Sequence, residues 1–404
     1  MYTVALVVHW NRRRTMDSYF LILSAYTLTS FCCAAYLYSS PKEYESLMLY
    51  PFIYLFIVLL IFIAPFKRLD IKVDAMNIHN TWMTKALTWV VIIAGILSLY
   101  FTIGETKEII SSGEWGALRL QVYQDGESIE LYHSFFEKIM KNIVGYMHSF
   151  IIVILIYHMS RPKINKLIVI LLLIVWLLNG FFESMLTASR GMVAGMLMEF
   201  LLVFALFKRI IPKTIKKTIP VLAVLFLIPV VSYLVAVSVS RFGEDEAGSS
   251  VFYYLGHSML TFNADMMVPM HDYAGGKFFF KYFLDFWGMN SSFNGAALGY
   301  KGGSSFFTFI GSFYMDFGPI GTFLIAVIVC IFLLTVTQKK RYKLSDLMII
   351  VYFANYILSG VFVIGRGSAL GFVMLFILCV IINLSERQFE RKLINQNLHQ
   401  RSLA

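Results

Sequence analysis

Four arginines have settings that suit a phosphate ligand. Arg190 ends the hairpin Thr187-Ala-Ser-Arg-Gly191, and Arg241 closes the run Ser238-Val-Ser-Arg-Phe-Gly243. Arg366 sits in Gly365-Arg-Gly367, and Arg119 lies mid-loop in Leu118-Arg-Leu120. A guanidinium is planar and always charged, so it makes bidentate, charge-assisted bonds to pyrophosphate. Glycines beside Arg190 and Arg366 permit close backbone approach. A helix beginning at Gly191 would also turn its N-terminus toward an anion. The ordinary alternative for any one of them is snorkelling to lipid headgroups. Three arginines at helix mouths on one side favour a site.

Candidate acids and bases are His133, Glu244, Asp245, Glu246, His257, Asp265, His271, Asp272 and Asp316. His257 and Asp265 share a predicted helix over 253–267, with a spacing that puts both on one face. They are the candidates for a catalytic base. Asp316, in Tyr314-Met-Asp-Phe-Gly-Pro-Ile-Gly321, opens a predicted span, where a carboxylate complements the helix dipole. Glu199 lies deep in an apolar run, four positions after the second glycine of Gly191-Met-Val-Ala-Gly195. That GxxxG spacing permits close helix contact. A carboxylate at such depth has to be paired or protonated, and it reads as structural. There is no HExxH, no Walker loop and no dinucleotide fingerprint, and Cys32, Cys33, Cys330 and Cys379 all sit in apolar runs. No metal or other cofactor is expected.

These residues are carried by a chain built for lipid. Of 404 residues, 58% are hydrophobic and 14% charged, against roughly 25% charged in soluble domains. Spans of roughly 20 apolar residues are predicted at 18–38, 47–64, 85–103, 141–159, 166–184, 191–207, 219–240, 312–336, 345–363 and 368–384. The first ten residues are too short to span, and read as a truncated or interfacial eleventh helix. The expected fold is all-α, one polytopic membrane domain over 1–404. Basic clusters fall at every second loop: Arg12–Arg14, Lys67-Arg68, Lys208-Arg209 with Lys213, Lys216 and Lys217, and Lys339–Arg341. This positive-inside pattern accounts for the net charge of +10 without nucleic acid as a partner. It places the tail 385–404 in the cytoplasm and two long segments, 104–140 and 241–311, outside. The second mixes polar clusters with Phe278–Phe280, Phe283, Phe286 and Trp287. It reads as short amphipathic helices on the membrane surface.

The hairpin at 187–191, the long loop after Arg241 and Phe307-Thr-Phe-Ile-Gly with Asp316-Phe-Gly-Pro-Ile-Gly321 carry a resemblance. Together with the span pattern, they resemble the Wzy-type oligosaccharide repeat-unit polymerases of bacterial O-antigen and capsule assembly. The resemblance implies a metal-independent, GT-C-like glycosyltransferase in the inner membrane, with its large loops periplasmic. It would move a growing glycan from undecaprenyl pyrophosphate onto the next lipid-linked repeat unit. Implied partners are lipid-linked oligosaccharides, membrane lipids and a chain-length regulator. Arg190 and Arg241, with Arg366 third, would hold the pyrophosphate, and Arg119 would contact substrate. Some members carry Arg-x10-Gly motifs; none of these four arginines has a glycine eleven positions on. An O-antigen ligase and a lipid-linked oligosaccharide flippase are the competing expectations. The flippase reading calls for ionisable residues spread along several spans, of which the sequence reading finds only Glu199.

Overall fold

The computed structural model describes residues 1–39, 47–69, 71, 76, 81–112, 134–161, 163–187, 189–212, 217, 228–237, 239, 249–301, 307–361 and 367–403. Among them the chain is helical, with one isolated bridge between Met76 and Tyr342. The helices are α1 (Tyr2–Arg13), α2 (Ser18–Ser39), α3 (Leu49–Ile63), α4 (Trp82–Ser112), α5 (Phe135–Ser160), α6 (Lys166–Leu186) and α7 (Arg190–Phe207). They continue with α8 (Ile228–Val237), α9 (Ser249–Thr261), α10 (Lys281–Phe286), α11 (Phe309–Thr337), α12 (Leu344–Ser359) and α13 (Ala369–Leu403). Seven of them are long and apolar enough to cross a membrane, and α7, α8 and α12 are shorter apolar helices. The fold is therefore all-α and fits a multi-pass membrane protein.

Local chemistry sets several starts. Ser134 accepts from the Glu137 N–H at 3.1 Å, capping α5. Asn165 accepts from Leu167 and Ile168 to cap α6, and Thr308 caps α11 through the Gly311 N–H. Helices α4 and α5 run further than the predicted spans, to Ser112 and from Phe135. The tail continues α13 as one helix to Leu403. Helix α1 packs on α2, its Tyr2 ring lying 6.3 Å from Tyr26 and 5.0 Å from Phe56. At roughly 18 Å for twelve residues, it reaches only part of the way across.

Bonds between distant elements gather at two sets of helix ends. At the basic end, Lys208 donates to the Met16 carbonyl and Lys343 meets Glu390. At the other, the cap end, Asn263 clasps Met48, the Phe309 N–H donates to the Gly360 carbonyl and the Gly367 N–H donates to the Phe278 carbonyl. Outward rows such as Val90, Ile93, Ile96 and Tyr100 on α4, and Ile320, Leu324, Ile328 and Ile331 on α11, are exposed, as a lipid-facing surface requires.

The closest helix approaches are not at the GxxxG. A Cβ at Gly195 would meet nothing within 4 Å, and one at Gly191 only the Ser189 hydroxyl at 4.0 Å. Close contact falls instead at Gly256, where a Cβ would run into the backbone of Cys32 and Cys33, and at Gly95 and Gly180. Glycine spacing permits contact, but the facing helix decides whether contact is made.

Candidate functional site

The cap is assembled from backbone clasps. Helix α9 lies on α2, with Gly256 against Cys32 and Cys33 and Tyr253 packed edge-on to Tyr36 at 5.2 Å. It ends in a wide π-helical turn, Phe262–Met267. Such turns are uncommon and often mark functional sites. Inside it Asn263 bonds Met48 twice, donating to its carbonyl at 2.6 Å and accepting from its N–H at 3.1 Å. The chain then folds over the first turns of α11. Ala274 and Gly275 donate to the carbonyls of Met315 and Asp316. The Asp316 carboxylate, 2% exposed, accepts from the N–H groups of Phe278 and Phe279 at 3.0 and 2.6 Å. Asp316 thus anchors a neighbouring segment rather than the dipole of its own helix. Two residues on, Gly318 breaks α11 with φ 64 and ψ −172, ahead of Pro319. The Tyr273 ring fills the space a side chain there would need.

Beyond this anchor the cap turns outward. Phe286, Trp287 and Met289 are exposed, an aromatic edge of the kind that sits at a membrane interface. The segment 241–311 is described over 249–301, where it forms α9, the π turn and the short helix α10.

His257 and Asp265 occupy different surroundings. His257 is buried, its ring 4.3 Å from Tyr253 and its Nε2 3.3 Å from the Tyr253 hydroxyl. Asp265 lies in the π turn near Lys301, whose N–H donates to the Asp265 carbonyl. Burial raises the Asp265 carboxyl above its ordinary range, with Lys301 partly opposing. The Tyr300 hydroxyl is raised by burial and then by the Asp265 charge. Helix α7 begins at Arg190, which is described through its backbone alone, and its cap residue Ser189 makes no side-chain bond to the helix start. Arg119, Arg241, Arg366 and His133 lie outside the described residues, as do Glu244, Asp245 and Glu246. The described neighbours of Arg366 belong to the cap: Gly367, at φ 83, presses on the Tyr282 ring and bonds Phe278.

A second group of ionisable residues was not found in the sequence. In the bundle interior Lys141 lies 2.6 Å from Glu137 and 3.0 Å from Glu105. Deeper, His148 on α5 meets Glu199 on α7 at 3.1 Å. Glu183 on α6 interacts electrostatically with both His148 and Lys141. The signal was the spacing of Glu137, Lys141 and His148, which repeats close to the α-helical period. Reading 104–140 as a loop hid it. Glu199 is paired, as its depth demanded, but it has ionisable company on α4, α5 and α6.

Among the described residues no group of three or more His, Cys, Asp or Glu could hold a metal ion. Comparisons of the chain with protein-family models, curated proteins and solved structures return no match.

Proposed function

We propose that this chain polymerises lipid-pyrophosphate-linked oligosaccharide repeat units at the non-cytoplasmic face of a bacterial inner membrane. The observation that carries the reading is the cap, in which the aromatic segment 262–301 is anchored on Asp316 and bonded to the Gly367 turn that follows Arg366 in sequence. Arg190 opens α7 at the end of that helix away from Lys208. Basic clusters gather at the opposite end, which the positive-inside rule assigns to the cytoplasm. In this reading Arg190, Arg241 and Arg366 neutralise the departing pyrophosphate. Asp265, in its wide turn beside Tyr300 and Lys301, is better suited than the buried His257 to accept a proton from a sugar hydroxyl. The exposed aromatic edge lies along the bilayer surface where the lipid carrier enters. No nucleotide sugar is needed, because the donor already carries its leaving group.

A flippase is the second reading, favoured by the ionisable residues on four spans. Purified protein given lipid-linked repeat units separates the two. Covalently extended polymer supports the polymerase. Movement of the unit across a vesicle membrane with no extension sinks it. In cells, deletion leaving lipopolysaccharide with a single repeat unit indicates a polymerase, whereas loss of every attached unit indicates a ligase. Arg190→Ala combined with Arg241→Ala should abolish chain growth in a stably inserted protein. Unchanged polymer length would remove the pyrophosphate role.

A further inference from the structure

His148 stands at the middle of α5, between two acceptors. Its Nδ1 lies 3.1 Å from Glu199 Oε2, and its Nε2 lies 3.3 Å from the backbone carbonyl of Trp176 on α6. A carbonyl can only accept, so the Nε2 position carries a hydrogen. The Nδ1–Oε2 contact needs a hydrogen as well. A neutral imidazole beside an ionised carboxylate supplies one hydrogen for these two bonds, and the line Trp176–His148–Glu199 requires two. The second proton is therefore held by the pair itself, on the ring or on the carboxyl.

The surroundings agree. Glu199 is 2% exposed, and among the described residues its Oε1 has no hydrogen-bond partner. An ionised carboxylate with one oxygen unbonded at such burial is costly. Sharing a proton with His148 leaves the pair net neutral. Gly180 leaves room for the ring, because a Cβ there would crowd Met196 and lie 3.0 Å from His148 Nε2.

Ionisable groups reach this pair from the cap end. Helix α4 brings Glu105, α5 brings Glu137 and Lys141, and α6 brings Glu183. On the other side α12 sets Asn355 against Ser149 and Tyr352 against Phe150. The charged residue of α12, Asp346, lies at the basic end. Toward that end α5 continues with Ile151–Leu155, all buried and apolar. The row stops mid-bundle, and a fifth of the His148 side-chain surface remains open.

We propose that this protein binds one exchangeable proton inside its membrane bundle, shared between His148 and Glu199 and reached from the cap end. The inference rests on neither functional reading above. It is tested on the full chain in lipid nanodiscs at neutral pH. Nitrogen NMR of labelled histidine, with His148 assigned by subtraction of a His148→Gln spectrum, reports the ring. Infrared absorption of the protonated carboxyl reports Glu199.

The expected result is an imidazolium at His148 or a protonated Glu199, lost on alkalinisation as one transition. Glu199→Gln should remain folded, because its amide can donate to Nδ1 while Nε2–H still bonds Trp176. In that variant the extra proton and its transition should vanish completely. A neutral His148 beside an ionised Glu199 in the wild type would overturn the proposal, and this spectrum decides even if the variant fails to fold. A transition that moves when sodium chloride replaces choline chloride would also overturn it, assigning the site to a metal cation.

Discussion

The cap and the interior row both bury carboxylates, and they satisfy them in opposite ways. Asp316 is held by two backbone N–H groups, donors that cannot titrate or leave. Glu105, Glu137 and Glu199 are held by Lys141 and His148, side chains that can move or change charge. A carboxylate bound by main chain fixes one loop geometry. One bound by an ionisable side chain leaves the charge state of the bundle adjustable. The cap is thereby fixed in one geometry, and the row is free to change its charge state.

Breaking the row should cost most. Lys141→Leu leaves the buried Glu137 and the half-buried Glu105 without this cation, a loss of about 3–5 kcal/mol, read as a lower unfolding midpoint in detergent. Adding Glu105→Gln and Glu137→Gln should recover most of it. No recovery would mean that Lys141 acts by packing alone.

Breaking the cap comes next. Asp316→Ala strands the N–H groups of Phe278 and Phe279, worth about 2–4 kcal/mol together. Cleavage by added protease within 262–301 should appear before the bundle unfolds, and polymer formation should fall with it. Asp316→Asn keeps one acceptor and should lie between the two. Equal protease resistance in all three proteins would show that the anchor is dispensable.

The glycines sharpen the comparison at smaller scale. Gly256→Ala pushes a methyl group into the backbone of Cys32 and Cys33 and should cost about 1–3 kcal/mol by forcing α9 off α2. Gly195→Ala meets open space and should be neutral or gain up to about 1 kcal/mol from helix propensity. The thermal midpoint should therefore fall for Gly256→Ala and stay level or rise for Gly195→Ala.

The smallest effect expected is at Asp265. Burial raises its folded carboxyl above the unfolded value of about 3.9, so the folded state holds the proton more tightly. Its contribution is fully present below that unfolded value and is lost as pH rises through the folded one. Asp265→Asn should thus raise the unfolding midpoint slightly at neutral pH and leave it unchanged in strong acid. A wild-type protein that gained stability over that window would contradict the assignment.

Most of the long apolar helices were legible because crossing hydrocarbon demands long apolar runs. Seven of the ten expected spans are helices long and apolar enough to cross, while those at 191–207, 219–240 and 345–363 are shorter apolar helices over the described residues. Glu199 was legible as a buried acid needing a partner, since a lone carboxylate at that depth is prohibitive. Its partner was not. His148 and Glu199 are 51 positions apart, and only the packing of α5, α6 and α7 joins them. The same holds for Asp316. Its place ahead of Gly318-Pro319 was visible as a helix start, while the donors it serves come from a segment 37 and 38 residues earlier. His257 and Asp265 looked like one face of one helix. The π turn and the separate neighbours, Tyr253 for one and Tyr300 with Lys301 for the other, follow from how α9 seats on α2 and α3. By itself the sequence determined that the chain is built of long apolar helices fit for lipid, and where its basic clusters fall, because the first follows from the free energy of transferring each segment. Only the tertiary structure decided which buried charges share a hydrogen and which are pinned by backbone, because both depend on helices meeting far apart in sequence.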